Sequence, residues 1–350
     1  MQACRQLVDQ IQAECTQRWT LMEVCGGQTH ALLRHGIDQL LAPWLDLIHG
    51  PGCPVCVTSS ERIDQALVLA KQPDVILCSY GDMLRVPGTD GRDLLRLRSQ
   101  GADVRVLYSP LDALAIAQEN PRKQVVFFAV GFETTAPATA LLAQQAFASG
   151  LPNLKLLLAH VRVAPVLDPL LAEPHCAVQG LLAAGHVCAV MGEAEYVELA
   201  ERHRLPIVIT GFSPEALLQG ILHCVRQLEQ GRHELENAYS SVALAAGNRP
   251  AQQLIDAVFE PVDTIWRGLG MIPQGGYQLR EPFSALALAP PQQQLRAPCP
   301  EICPSARVLQ GLMRPSDCQS FGEACTPEHP LGAPMVSSEG ACAAYFRYPR

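Results

Sequence analysis

The chain has 350 residues, of which 48% are hydrophobic, 17% charged and 5% aromatic, and its net charge is −8. That length suffices for two or three domains, and so apolar a composition excludes a disordered chain. An acidic balance, no dense Lys/Arg stripe and few rings for stacking argue against nucleic acid as a partner.

No uncharged apolar run reaches about 18 residues, so no membrane span is expected. The opening MQACRQLVDQIQAEC is amphipathic and contains Asp and Glu, unlike the charged-then-apolar pattern of a signal peptide. The expected compartment is the cytoplasm. There, 14 cysteines point to metal binding and redox chemistry rather than to structural disulfides.

Residues 1–20 read as one helix, with Leu7, Ile11 and Cys15 toward one face. LMEVCGGQTH follows, an apolar run broken by Gly26 and Gly27, which puts Cys25 at a strand end with Gln28, Thr29 and His30 behind it. Glycines there let the chain turn tightly and bring backbone close to a ligand. A cysteine in such a turn suits a nucleophile or a metal ligand; it equally suits a buried thiol beside a helix cap. WLDLIHG reads as a strand, and the C-P-V-C of Cys53 and Cys56 then precedes a helix, ERIDQALVLA. Strand, C-x-x-C and helix in that order form a thioredoxin-like arrangement, in which helix N–H groups stabilise a thiolate. Half of a zinc site is the other reading, and no second C-x-x-C completes it.

Strands and helices then alternate: strands over 74–80, 103–110 and 124–131, helices over 93–101 and 111–120, and a helix from ATALLAQQAFASG. Continuous Val/Ile/Leu/Phe runs of this kind predict parallel strands covered on both faces. Two loops at strand ends carry charge: GDMLRVPG with Asp82 and Arg85, and GFETTAPA with Glu133. Ligand sites of α/β sheets form at such edges, although Glu133 also suits a plain helix start. A second α/β unit follows. LKLLLAHVRV is a strand, HVCAVMG a strand opened by His186, EAEYVELAERH a helix and LPIVITG a strand. The long helix after it takes Ser213 as its cap and Pro214 at its first position. Cys176, Cys188 and Cys224 read as core thiols. Residues 232–292 read as a helix followed by extended chain, and PPQQQLRAPCP over 290–300 as a linker. The expected division is 21–145 and 146–231 as two α/β domains, with 1–20 and 232–350 forming a mainly helical and irregular third.

The tail carries Cys303, Cys318, Cys325 and Cys342 among Pro and Gly, with Cys299 just upstream. Thiolate sulfur selects zinc and iron–sulfur clusters. No short C-x2-C or H-x3-H pair lies among the four, so the spacing fits no zinc finger, whereas a cubane accepts widely separated ligands. Buried free thiols are the plain alternative.

MEVCGGQTH (22–30), HGPGCPVCVT (49–58), GDMLRVPG (81–88), GFETTAPA (131–138), AGHVCAVMG (184–192) and FGEACTPEHPLGAPMVSSEGACAAY (321–345) together resemble the HypD family of hydrogenase maturation factors, in the family's order over nearly the whole chain. The resemblance implies two thioredoxin-like domains and a third that holds a [4Fe–4S] cluster on Cys303, Cys318, Cys325 and Cys342. It implies an assembly scaffold with a redox role, on which iron gains two cyanides and one carbon monoxide as Fe(CN)2CO. HypC would act as small partner and HypE with HypF as cyanide donor, and the product would pass to the large subunit of a [NiFe] hydrogenase. Cys25 would ligate that iron and Cys53/Cys56 would act as the redox or iron-associated pair. His30, Asp82, Glu133, His186 and Glu339 would line the site. Two other readings compete: an iron–sulfur thiol–disulfide reductase acting on a protein substrate, and a structural zinc protein that recruits partners. Neither needs Cys25 and His30 together on a Gly-Gly turn.

Overall fold

The computed structural model describes residues 2–288 and 303–349. Cys299 and the linker expected over 290–300 lie outside the described residues.

The described residues form eleven strands: β1 Trp19–Glu23, β2 Leu45–His49, β3 Val75–Ser79, β4 Val104–Val106, β5 Gln124–Gly131, β6 Leu154–His160, β7 Gly180–Ala184, β8 Ile207–Thr210, β9 Leu235–Asn237, β10 Phe259–Trp266 and β11 Gly270–Leu279. They form a first sheet in the order β2-β1-β7-β8-β9, a second in the order β4-β3-β5-β6, and an antiparallel hairpin of β10 and β11. Every pair in the first two sheets is parallel. Every residue of β3 and β7 is buried, as is all of β5 but Gln124, which explains their unbroken apolar runs. One core joins the two sheets, with Met22, Leu181 and Ile207 of the first packed into the same cluster as Leu77, Phe128 and Val130 of the second. Among the described residues no helix is long and apolar enough to cross a membrane.

The α/β class agrees with expectation; the span expected to be mainly helical and irregular carries β9 and the β10–β11 hairpin as well, and the division of the chain does not follow the sheets. The chain leaves the first sheet after β2, builds the whole second sheet with β3–β6, and returns at β7. A boundary at 145/146 therefore cuts the second sheet, separating β6 from β5, with which it pairs along its length. The helix Gln2–Glu14 belongs with the first sheet and not with the tail. It packs on the helix Pro214–Glu229, where the Arg226 guanidinium donates twice to Glu14, at 2.9 Å from Nε and 2.8 Å from Nη2. The N-terminal segment is not one helix to residue 20, since β1 begins at Trp19.

HVCAVMG is not a strand either. The strand is GLLAA, and Gly185–Met191 is a helix. Both runs are short and apolar, and periodicity cannot tell a buried strand from a buried helical turn at that length. The segment expected as helix and extended chain holds β9, the helix Arg249–Val258 and the hairpin.

Each parallel sheet has one place where the chain turns in opposite directions. From β1 it moves outward to β2, then crosses back to β7; from β3 it moves outward to β4, then crosses to β5. Crevices outside the carboxyl ends of such strand pairs are where open α/β sheets bind ligands. Cys25 follows β1 and His186 follows β7; Asp82 follows β3 and Glu133 follows β5. Phe128 of β5 is wholly buried in the core joining the sheets. Phe128→Ala is expected to lower unfolding stability by about 3–5 kcal/mol, read from urea titration of the purified protein.

Candidate metal and thiol centre

Cys25 ends β1 in extended conformation (φ −148°, ψ 120°) and caps the helix Gly26–Arg34. Its N–H donates to Glu23 Oε2 at 2.8 Å. Glu23 is buried to 1% exposure. Its other oxygen accepts from the Thr29 hydroxyl and lies 2.7 Å from His49 Nδ1, and His49 Nε2 lies 3.2 Å from the Tyr345 hydroxyl. Gln28 donates through Nε2 to the carbonyls of Ala183 and Thr210, at the ends of β7 and β8. Burial and then the Glu23 charge push the Cys25 thiol up to about 12, against the opposing N–H groups of Gln28 and Gly27. The free thiol is protonated at neutral pH, and a metal cation at sulfur would reverse that.

The C-P-V-C segment lies directly over this turn. Gly26 N–H donates to the Gly52 carbonyl at 2.9 Å, and a Cβ at Gly52 would stand 2.3 Å from the Cys25 nitrogen. Only glycine permits that approach. Cys53 caps the short helix Pro54–Val57, accepts the Cys56 N–H at 3.1 Å, and is disulfide-bonded to Cys56. Both cysteines are buried.

The tail closes the crevice from the far side. Asp82, in the turn after β3, accepts from Ser337 Oγ at 3.0 Å and from the Ser338 N–H at 3.4 Å. Glu339 N–H donates to Ser337 Oγ at 3.2 Å. A Cβ at Gly26 would stand 2.3 Å from the Glu339 carbonyl oxygen, so this segment also touches the Cys25 turn. Burial, and then the Asp82 charge, raise the Glu339 carboxyl above its ordinary value. Residues 337–339 thus bridge the switch points of both sheets.

Other expected residues sit further out. The exposed His186 ring stacks on Phe212 at 3.8 Å between centroids, and a Cβ at Gly27 would stand 3.2 Å from that same Phe212 ring. One ring therefore separates His186 from the Cys25 turn. His30 turns to the tail, its Nε2 lying 2.8 Å from the Tyr348 hydroxyl. Burial, then Arg347, Arg34 and His35, hold its pKa low. Glu133 is fully buried; Oε1 accepts the Val163 N–H at 2.9 Å. Burial pushes its carboxyl up to about 7. Glu23, His49 and Phe212 were not assigned to the site from the sequence, although Glu23 lies within MEVCGGQTH and His49 opens HGPGCPVCVT.

The four tail cysteines converge. Burial and then the charges of Cys303, Cys325 and Cys318 raise the Cys342 thiol, and Cys303 is raised by burial and by Cys325 and Cys318. Leu331 N–H donates to Cys325 Sγ at 3.4 Å, and a Cβ at Gly332 would stand 2.5 Å from Cys303 Sγ. Among the described residues no three His, Cys, Asp or Glu side chains are gathered as a single ion requires. Four cysteine sulfurs are the donor type that both zinc and iron–sulfur clusters take, and a bound metal would draw off their protons. The same tail places the helix Ala333–Val336 against Pro54–Val57 and the helix Ala341–Arg347 against Gly26–Arg34.

Two expectations follow from this geometry. Gly26→Ala drives a methyl into the Glu339 backbone and should cost about 1–3 kcal/mol, with faster amide exchange over 333–342 as the local sign; unchanged exchange there would contradict the contact. Glu133 binds its proton more tightly folded than unfolded. Its contribution, roughly 3 kcal/mol, is full below pH about 4.5 and is lost as pH rises through about 7. Glu133→Gln should remove that slope from stability measured across this window.

The family model HypD, described as "Hydrogenase formation hypA family", matches residues 2–349. The hydrogenase expression/formation protein HupD of Azotobacter chroococcum mcd 1 is 46% identical over 99% of this chain and 94% of its own length. The hydrogenase maturation factor HypD of Rhodobacter capsulatus is 43% identical over 98% and 92%. That of Escherichia coli K12 is 46% identical over 94% and 88%. With motif-bearing loops at both switch points and a whole-length match, the chain belongs to the HypD family of hydrogenase maturation factors.

Proposed function

We propose that the chain is a cytoplasmic scaffold on which one iron ion, as substrate, receives two cyanides and one carbon monoxide before passing to a [NiFe] hydrogenase large subunit. A HypC-like protein is its companion, and a HypE-like protein charged by HypF is the cyanide donor. The observation that carries this reading is the meeting of three thiol elements at one crevice: Cys25 at the first sheet's switch point, Cys53–Cys56 over its backbone, and the cysteine tail against both of their helices.

In this reading Cys25 holds the iron. Soft thiolate suits an iron that carries cyanide and carbon monoxide, and the Glu23 carboxylate fixes the turn that aims the sulfur. Cys53–Cys56 opens to a dithiol with two electrons and two protons. Cys303, Cys318, Cys325 and Cys342 would hold a [4Fe–4S] cluster, which supplies single electrons when bound. Asp82 and Glu339 hold the tail in place over the site, and His186 and His30 stand at its rim.

The disulfide also suits an iron–sulfur thiol–disulfide reductase, but that reading leaves the pinned Cys25 turn unused. Infrared spectra of protein purified without oxygen beside its HypC-like companion should show stretches of metal-bound carbon monoxide and cyanide. They should vanish in Cys25→Ala, while acid-labile sulfide persists there and is lost in Cys342→Ser. Sulfide with no such stretches in the wild type, together with turnover of a protein disulfide, would favour the reductase.

A further inference from the structure

Two tyrosines near the end of the chain meet two histidines of the motif turns. Tyr345 lies on the helix Ala341–Arg347, and Tyr348 caps that helix three positions on. The Tyr345 hydroxyl lies 3.2 Å from His49 Nε2, and the Tyr348 hydroxyl 2.8 Å from His30 Nε2. Both ring pairs meet edge to face, at 5.4 Å and 5.0 Å between centroids. Leu33, on the helix that begins at Gly26, packs with Ala344 and Tyr345 in a small apolar cluster of its own. The tail is therefore docked on the Cys25 helix by one apolar contact and two tyrosine–histidine pairs.

The two pairs differ in what stands behind the histidine. His30 and Tyr348 are half-buried. His49 is buried to 4% exposure, and its Nδ1 lies 2.7 Å from Glu23 Oε1. The other oxygen of Glu23 accepts the Cys25 N–H at 2.8 Å. Tyr345, His49 and Glu23, all buried, thus form an unbroken chain of contacts from the helix that carries Cys342 to the backbone nitrogen of Cys25. Each link is within hydrogen-bond distance. Links this deep are costly to break, because the groups they release find no water. An imidazole engaged at both nitrogens is also held at one ring angle.

We propose that His49 is a positioning residue that ties the pose of the Cys25 turn to the docking of the tail. Glu23 acts on the Cys25 backbone, His49 acts through Glu23, and Tyr345 acts through His49. When the tail is seated, Tyr345 fixes the ring, the ring fixes the carboxylate, and the carboxylate holds the Cys25 N–H. When Tyr345 withdraws, the ring loses that hold and the turn opens more often. Tyr345 is three residues from Cys342, so order at the tail cysteines reaches Cys25 along this chain. The coupling belongs to the protein alone and does not rest on the scaffold reading.

The test uses metal-free, full-length protein and hydrogen exchange of the Cys25 amide, read by fragmentation mass spectrometry, with the amides of β5 as control. Tyr345→Phe keeps the ring and removes only the hydroxyl. It should speed exchange at Cys25 about fivefold, the worth of one hydrogen bond, and leave β5 unchanged. His49→Asn keeps a donor where Nδ1 stands but nothing toward Tyr345. It should show the same rise, and Tyr345→Phe added to it should change nothing further. A wild-type rate at Cys25 in Tyr345→Phe, an equal rise in β5, or a further fivefold rise on His49→Asn overturns the proposal. If His49→Asn does not fold, Tyr345→Phe and its control decide alone. This rate is read without iron, whereas the infrared stretches report iron at Cys25, so the two readings fail separately.

Discussion

One buried carboxylate ties the centre together. Glu23 accepts from the Cys25 N–H and the Thr29 hydroxyl and pairs with His49, which in turn meets Tyr345. A charge buried this deeply is tolerable only when its oxygens are satisfied. Here its partners are the Cys25 turn, the first turn of the next helix, the end of β2 and, through His49, the tail. Removing any one would leave the others holding an underpaired charge. Burial first, and then this carboxylate, keep the neighbouring thiol protonated at neutral pH.

From that anchor the architecture follows the logic of open parallel sheets. Two sheets, each with its chain reversal beside its first strand, bring four motif loops to neighbouring carboxyl edges. The tail spans between them through Ser337 and Glu339, and through Arg85, which donates to the Pro327 carbonyl. Glycine at 26 and 52 is what lets three backbone segments stack at Cys25. The centre is therefore dense in backbone, with Glu23 as the carboxylate buried beside the Cys25 turn.

Much of this was legible in the residues. The strands at 74–80 and 124–131 announced themselves because strands covered on both faces read as unbroken apolar runs. Ser213 and Pro214 gave the start of the long helix. Sheet membership was not legible: whether β1 pairs with β7 is settled by contacts about 160 residues apart in sequence, which local pattern does not record. For the same reason HVCAVMG, which reads as a strand, is a helix, and the strand is the GLLAA before it. Glu23 and His49 went unread because a charged residue at a strand end looks alike whether it is solvated or buried. Glu133 could be placed at a helix start from its neighbours, but its burial, and hence its raised carboxyl, depends on Val163 and Arg162 arriving from β6. Cys188 read as a core thiol, and it is one.

The account stands on Cys25 and the tail cysteines serving two different iron species. Mössbauer spectra of protein enriched in iron-57 and isolated without oxygen, with its HypC-like companion, test this most directly. The expected spectrum has a low-spin mononuclear component beside a cluster component. Cys25→Ala should remove the first alone and Cys342→Ser should deplete the second. A mononuclear component that survives Cys25→Ala would contradict the central claim.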